Sequence, residues 1–382
     1  MKLVMALDSF KGSISSADAA RAIEKGFRKI MDRDDLTIIV KPIADGGEGT
    51  LDAIVPPSGR ISAEVSGPLF ERINAEYGQL DGVAVIEMAS AAGLTLLDEK
   101  DRNAGITTTY GVGELICDAL NKGFNKIMLT VGGSATNDGG CGMLAALGAA
   151  FKDVDGNTFI PTGDTLSQIA DIDISCVTDK LFNCDITIAT DVKNPLLGES
   201  GATYVYGRQK GLSDSQLESV EAGMRNYAEI ISRISGKELF SVAGAGAGGG
   251  IAVPLLAFTD AKISSGIDTV LDVVDFDKAI ADADAVVTGE GRIDVQSLYG
   301  KAISGVVKRA VKRGIPVYCF VGCVGDDADA IKRMGISEIY SISELAESAE
   351  DSMKNAALYL EARGKELAID FMYKFEYPKE GI

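Results

Sequence analysis

Three glycine-rich turns bearing carboxylates are the most informative places in this sequence for chemistry. They are Ala44-Asp45-Gly46-Gly47-Glu48-Gly49-Thr50, Gly132-Gly133-Ser134-Ala135-Thr136-Asn137-Asp138-Gly139-Gly140 and Thr288-Gly289-Glu290-Gly291-Arg292-Ile293-Asp294. Glycine lets backbone N–H groups approach a ligand closely, and N–H groups ahead of a helix bind anions. Carboxylates beside such turns suit Mg²⁺ or a substrate hydroxyl. The chain has no histidine, which removes Ser-His-Asp and Cys-His catalysis and histidine-ligated metals. A general base must then be a carboxylate, or else a lysine, tyrosine or cysteine. These features point to phosphoryl transfer, where positioning and charge neutralisation supply most of the catalysis.

Three further segments bear on the chemistry. Asp8-Ser9-Phe10-Lys11-Gly12-Ser13 follows an apolar strand and precedes a helix, so Lys11 and Ser13 are placed to hold a phosphate or carboxylate. For an isolated turn a solvated lysine is the better reading; facing the Gly289 turn, the anion site is. Asp191, in Ala189-Thr190-Asp191-Val192-Lys193-Asn194-Pro195-Leu196, follows a buried strand and is either a base toward a hydroxyl or an Asx-turn residue. Gly244-Ala245-Gly246-Ala247-Gly248-Gly249 matches G-x-G-x-x-G in letters but follows no convincing strand, so small-residue packing or a nucleotide-facing loop is favoured over a dinucleotide site. There is no Walker lysine motif, and an H-R-D catalytic loop is impossible without histidine.

The bulk properties narrow the function classes. A net charge of −19 argues against general nucleic-acid or anionic-membrane binding. An anionic substrate then requires local cations, which draws attention to Lys11, Arg292 and Lys301. The six cysteines form no C-x-x-C pair and read as small apolar residues in a reducing cytoplasm. No stretch is apolar for long enough to span a bilayer.

A chain of 382 residues is long for one core. Its N-terminus alternates strand (3–7), helix (from Ser15 or Ser16 to about 30), strand (37–40) and helix (49–55), which implies a parallel sheet. A turn cluster at Pro56-Pro57 opens a different texture, with alternating strands at 61–65 and 73–78. Further strands are predicted at 83–88, 126–131 and 185–189, and helices at 112–120, 140–150, 213–234 and 248–258. The α/β rhythm returns with strands at 285–288, 317–321 and 338–341, helices at 302–313 and 327–334, and a final helical region from 343 to about 367. The expected fold is therefore α/β: a flavodoxin/Rossmann-like parallel-sheet domain (1–60 and 284–382) interrupted by a larger inserted α/β domain (61–283). In a flavodoxin-like strand order the first and third strands end side by side at the switch point, where open sheets bind ligands. That would set Asp8 and Lys11 opposite Glu290 and Arg292.

Taken in order, the Asp8–Ser13, Ala44–Thr50, Gly132–Gly140, Asp191–Leu196, Gln209-Lys210-Gly211 and Thr288–Asp294 segments closely resemble the bacterial class I glycerate kinases, over nearly the whole chain. The resemblance implies ATP-dependent phosphorylation of D-glycerate, usually to 2-phosphoglycerate, with Mg²⁺, in a cleft between two domains. It implies Asp191, Lys11 and Arg292 as catalytic residues, and Asp8, Ser13, Asp45, Glu290, Asp294 and Lys301 as substrate contacts. Gly132, Gly133, Ser134, Thr136, Asn137, Asp138 and Gly139 would cradle the nucleotide phosphates, and Asp45, Glu48 and Glu290 are the metal candidates. Lys193 stands where the family more often has threonine, and Arg208 where proline is usual. The expected partners are D-glycerate and ATP, in a cytoplasmic monomer or homodimer. The alternatives are a hydroxy-acid dehydrogenase and a non-catalytic sugar-acid binding protein.

Overall fold

The structure is a computed structural model that describes residues 1–294, 302–325 and 333–375. Numbered along the chain, its strands are β1 (Lys2–Leu7), β2 (Thr37–Val40), β3 (Arg60–Ser66), β4 (Arg72–Leu80), β5 (Val83–Glu87), β6 (Lys126–Thr130), β7 (Ala150–Lys152), β8 (Thr158–Phe159), β9 (Asp171–Asp173), β10 (Asp185–Ala189), β11 (Lys262–Ser264), β12 (Ala285–Ile293), β13 (Val317–Val324) and β14 (Ile336–Ser341). The described residues form two compact units. The first comprises Met1–Asp45, Asp52–Ile54 and Gly266–Ile382, and the second Gly46–Leu51 and Val55–Ser265.

The first unit is built on an all-parallel sheet in the order β14-β13-β12-β1-β2. Residues Leu3 to Leu7 are all buried, as a strand covered on both faces requires. Leu3, Met5 and Leu7 face one core with Ile23 and Phe27 of helix Ser16–Arg28 and Leu360 and Phe371 of helix Ala356–Phe375. Alternation leaves Val4, Ala6 and Val286 to the opposite face, where helix Ala302–Val311 packs. Ser15 caps the first helix, its hydroxyl accepting from the Asp18 N–H at 3.1 Å. Helices therefore cover both faces, and the connections from β1 and from β12 leave on opposite sides of the sheet. The crevice that this reversal opens lies at the C-terminal ends of β1 and β12.

The second unit holds a six-stranded sheet, β11-β10-β6-β5-β4-β3, parallel from β11 to β5 and antiparallel from β5 to β3. A smaller antiparallel sheet, β8-β7-β9, was not expected from the sequence. It occupies part of the stretch read as a helix from 140 to 150. The helix there is only Cys141–Ala146, and Gly148 ends the turn at φ +112°. A side chain at Gly148 would stand 2.3 Å from the Cys176 carbonyl, so tertiary packing stops the helix and turns the chain into β7. The helix expected from 248 begins at Ala252, because Gly248, Gly249 and Gly250 all adopt left-handed conformations. The helix expected from Ser213 runs over Asp214–Ser235, with Ser213 and Gln216 forming a capping box. The helix expected at 327–334 falls largely outside the described residues.

Candidate active site

At the C-terminal edge of the first unit's sheet is a cavity of about 410 Å³. Its acidic wall comes from Asp8, Asp45, Glu290 and Asp294, and its basic groups are Lys11 and Arg292. Strand register explains the convergence. Leu7 pairs with Gly289, and the Asp8 N–H donates to the Gly289 carbonyl at 2.9 Å, so Asp8 and Glu290 leave the sheet side by side. Only glycine serves at 289, since a Cβ there would come within 2.1 Å of the Phe320 carbonyl oxygen on β13. Beyond β1, the Phe10-to-Ile14 turn returns through two backbone bonds and presents Lys11 and Ser13 to the cavity.

Asp8 is only 6% exposed. Burial pushes its carboxyl up to about 6, and the nearby Asp45 carboxylate adds to the rise. The Ser9 N–H, donating to Asp8 Oδ1 at 2.6 Å, and the Lys11 cation act in the opposite sense. Asp8 is thus an ionisable group held near neutrality inside a cavity, a property concentrated at functional sites. Arg292 is exposed and pairs loosely with Asp294, Nε to Oδ2 at 3.6 Å, so an incoming anion can recruit its guanidinium.

The C-terminal segment supplies groups that sequence reasoning did not single out. Ser343, Ser352 and Met353 line the same cavity, and Ser13 Oγ donates to the Met353 carbonyl at 2.5 Å. A signal for Ser343 was present: it lies just beyond the end of β14, at the same sheet edge as the other turns. Cys323 also lines the cavity, and all six cysteines are free. Lys301 lies outside the described residues.

The remaining expected site residues belong to the second unit. The Gly132–Gly140 turn joins β6 to helix Cys141–Ala146. Gly132 and Gly133 are partly exposed, and Ser134 is nearly covered. Thr136, Asn137, Asp138 and Gly139 are turned inward and buried. The Asp138 carboxylate accepts from Thr109 N and Oγ1, both at 2.8 Å, from Gly140 N at 3.0 Å and from Gly142 N at 3.2 Å. Within the structure Asp138 therefore braces the turn from inside. Burial raises its carboxyl despite these donors. Glu48 is exposed, and its Oε2 would stand 2.8 Å from a Cβ placed on Gly133. Glu87 closes the neighbouring turn, accepting from Gly49 N at 2.7 Å and Leu51 N at 3.1 Å. Asp191 is exposed just beyond the end of β10, and Lys193 is exposed two residues on. Arg208 pairs with Asp214, Nε to Oδ1 at 2.7 Å. The Gly244–Gly249 segment packs its backbone against the Pro195 and Thr136 carbonyls and opens no βαβ unit.

Of the metal candidates, Asp45 and Glu290 share the cavity of the first unit, and Glu48 lies beside the glycine turn of the second. No group of three or more acidic, cysteine or histidine side chains among the described residues could hold a metal ion by itself. No helix among them is long and apolar enough to cross a membrane.

A family model for the glycerate kinase family matches residues 3–372. The chain is 43% identical over 372 residues to a glycerate kinase of Bacillus subtilis (strain 168), covering 96% of this chain and 97% of that one. It is 41% identical over 360 residues to glycerate 2-kinase of Escherichia coli (strain K12), covering 93% and 94%. A crystal structure of a glycerate kinase 2 candidate from Salmonella typhimurium LT2 superposes with a TM-score of 0.88 at 39% identity, covering 98% of this chain and 99% of that one. With a parallel-sheet α/β fold, and with acidic and basic groups gathered at one strand-end cavity, the chain belongs to the glycerate kinase family and is a phosphotransferase with an alcohol group as acceptor.

Proposed function

We propose that the protein transfers the γ-phosphoryl group of ATP to the 2-hydroxyl of D-glycerate, giving 2-phosphoglycerate and ADP. The observation that carries this reading is the cavity of the first unit, where Lys11 and Arg292 stand beside Asp8, Asp45 and Glu290. A small hydroxy acid needs that pairing: cations for its carboxylate and hydrogen-bond acceptors for its hydroxyls. The name of the Escherichia coli relative, glycerate 2-kinase, favours the 2-hydroxyl.

In this reading residues of both units serve one reaction. Arg292 and Lys11 hold the glycerate carboxylate and the charge that develops on the transferring phosphoryl group. Asp8 accepts a hydrogen bond from a substrate hydroxyl. Asp191 orients the attacking hydroxyl and takes its proton as oxygen bonds to phosphorus and ADP leaves. Gly132 and Gly133, the partly exposed start of their turn, face the nucleotide phosphates, with the Ser134 hydroxyl just behind them. Asp45 and Glu290 offer hard carboxylate oxygens of the kind Mg²⁺ takes, and would hold it with help from the phosphates. When bound, the ion would neutralise charge on the β- and γ-phosphates. Free cysteines suit a reducing, cytoplasmic setting.

The test is phosphorus NMR of the product made from D-glycerate, ATP and Mg²⁺. A 2-phosphoglycerate resonance supports the proposal. A 3-phosphoglycerate resonance overturns the regiochemistry, and no glycerate-dependent product from folded protein overturns the substrate.

A further inference from the structure

Lys210 is a buried basic group that the reaction above does not use. Its side chain is almost wholly covered, at 3% exposure. The backbone leaves it one place to go. Lys210 ends a tight 3₁₀ turn, Arg208–Lys210, and its carbonyl accepts from Ala104 N at 3.0 Å. Gly211 follows at φ +88°, where a side chain would stand 1.9 Å from the Arg102 carbonyl oxygen. From this anchored point the amine reaches the Gly132–Gly140 turn. Nζ donates to Ser134 Oγ at 2.7 Å and to the Thr136 carbonyl at 2.8 Å.

The chemistry of the first bond is directional. An ammonium has no lone pair, so Ser134 Oγ can only accept from it. The single hydroxyl hydrogen of Ser134 then remains available to donate elsewhere. Gly132 and Gly133, the two residues before it, are partly exposed. Asp138, across the turn, is the charge that favours the ammonium, while burial pushes Lys210 down to about 7. Four donors already engage the Asp138 carboxylate oxygens and hold it inside the turn.

We infer that Lys210 is a positioning residue that polarises the Gly132–Ser134 turn toward an anion, fixing Ser134 as a hydrogen-bond donor to a phosphate oxygen of the nucleoside triphosphate. The inference rests on the reading of this turn as the nucleotide-phosphate cradle. Its charge acts from behind the turn, and its contact with the ligand runs through Ser134.

The experiment compares the full chain with Lys210→Met, Ser134→Ala and the double variant, by steady-state kinetics in ATP and in D-glycerate, alongside thermal melts. Losing a charge-assisted bond should raise KM for ATP ~10-fold in Lys210→Met. The double variant should be no worse than Lys210→Met, and KM for D-glycerate should stay within about twofold, since the coupled pair acts as a unit. Multiplying effects, or a lower melting temperature with KM for ATP unchanged, would overturn the inference. A non-additive rise that falls on KM for D-glycerate would sustain the role of Lys210 and overturn the nucleotide reading of the turn. Should Lys210→Met not fold, Ser134→Ala alone decides: it should raise KM for ATP about tenfold with KM for D-glycerate little changed, and an unchanged KM for ATP would overturn the inference.

Discussion

Replacing Asp8 with asparagine should stabilise the protein, and more so at pH 8 than at pH 5. Burial, reinforced by Asp45, lifts the Asp8 carboxyl from 3.8 to about 6. The folded state therefore binds a proton more tightly than the unfolded chain does. The stability due to this group is fully present below pH 3.8 and is lost as pH rises through about 6. A rise of roughly two units corresponds to about 3 kcal/mol of penalty once Asp8 is fully ionised. Integrating the same linkage, roughly half of that penalty has already developed at pH 5. Asparagine keeps the shape without the charge, so its advantage over the wild type should grow by ~1.5 kcal/mol between pH 5 and pH 8. If the first unit melts cooperatively, that is an additional melting shift of roughly 3–6 °C. The assay is a pair of thermal melts at each pH, with kinase activity measured on the same samples. Stabilisation should accompany a large loss of glycerate phosphorylation, because a site that needs a buried charge gives up stability to keep it. An equal shift at both pH values, or a variant less stable at pH 8, would refute the burial argument.

Other perturbations probe other parts of the site. Asp191→Asn should keep ATP affinity and lose most turnover, on the order of 10²–10⁴-fold for a lost base; near-normal kcat would remove Asp191 from that role. Lys11→Ala and Arg292→Ala should each raise KM for D-glycerate by about tenfold or more, the worth of a charge-assisted bond, with little change in melting temperature. If neither substitution alters KM or kcat, the glycerate carboxylate does not sit in this cavity. Gly289→Ala should destabilise the first unit by about 1–3 kcal/mol, because the new methyl meets a carbonyl oxygen inside a packed sheet; a urea titration with an unchanged midpoint would contradict the close approach of β12 and β13.

The parts of this architecture that announce themselves in sequence are those where local pattern and tertiary environment agree. An unbroken apolar run at Leu3–Leu7, too short for a helix and ended at once by Asp8, reads as a strand buried on both faces, and the polar turn after it inherits its position from the sheet edge. The convergence of Asp8, Lys11, Glu290 and Arg292 follows from strand order alone, once β1 and β12 are neighbours. What stayed hidden depends on contacts far apart in sequence. Residues 140 to 150 are rich in small residues that suit a helix, yet the helix stops before Gly148, where φ is left-handed and a Cβ would stand 2.3 Å from the Cys176 carbonyl oxygen. Lys210 enters the sequence reading only as part of Gln209-Lys210-Gly211, and nothing local marks it as buried; its amine meets Ser134, 76 residues earlier. Asp138 looks like a ligand in a glycine-rich turn, and only the donors from Thr109 and the following helix reveal it as that turn's brace. Polar residues that stabilise a binding loop from within have the same composition as those that touch its ligand.

The parallel pairing of β1 with β12 also imposes an order on biosynthesis. Leu7 leaves the ribosome first, and its partner Gly289 follows 282 residues later (289 − 7). At about 5–20 residues per second, that separation amounts to roughly 15–55 s of translation. Throughout that interval the nascent N-terminus can offer at most the β1–β2 pair, and two strands alone are marginal in water. All the strands of the second unit's six-stranded sheet lie between Arg60 and Ser264, and are therefore made before β12. The apolar residues from Leu3 to Leu7 thus stay incompletely covered until β12 is made, and Ile23 and Phe27 wait longer still, for Leu360 and Phe371.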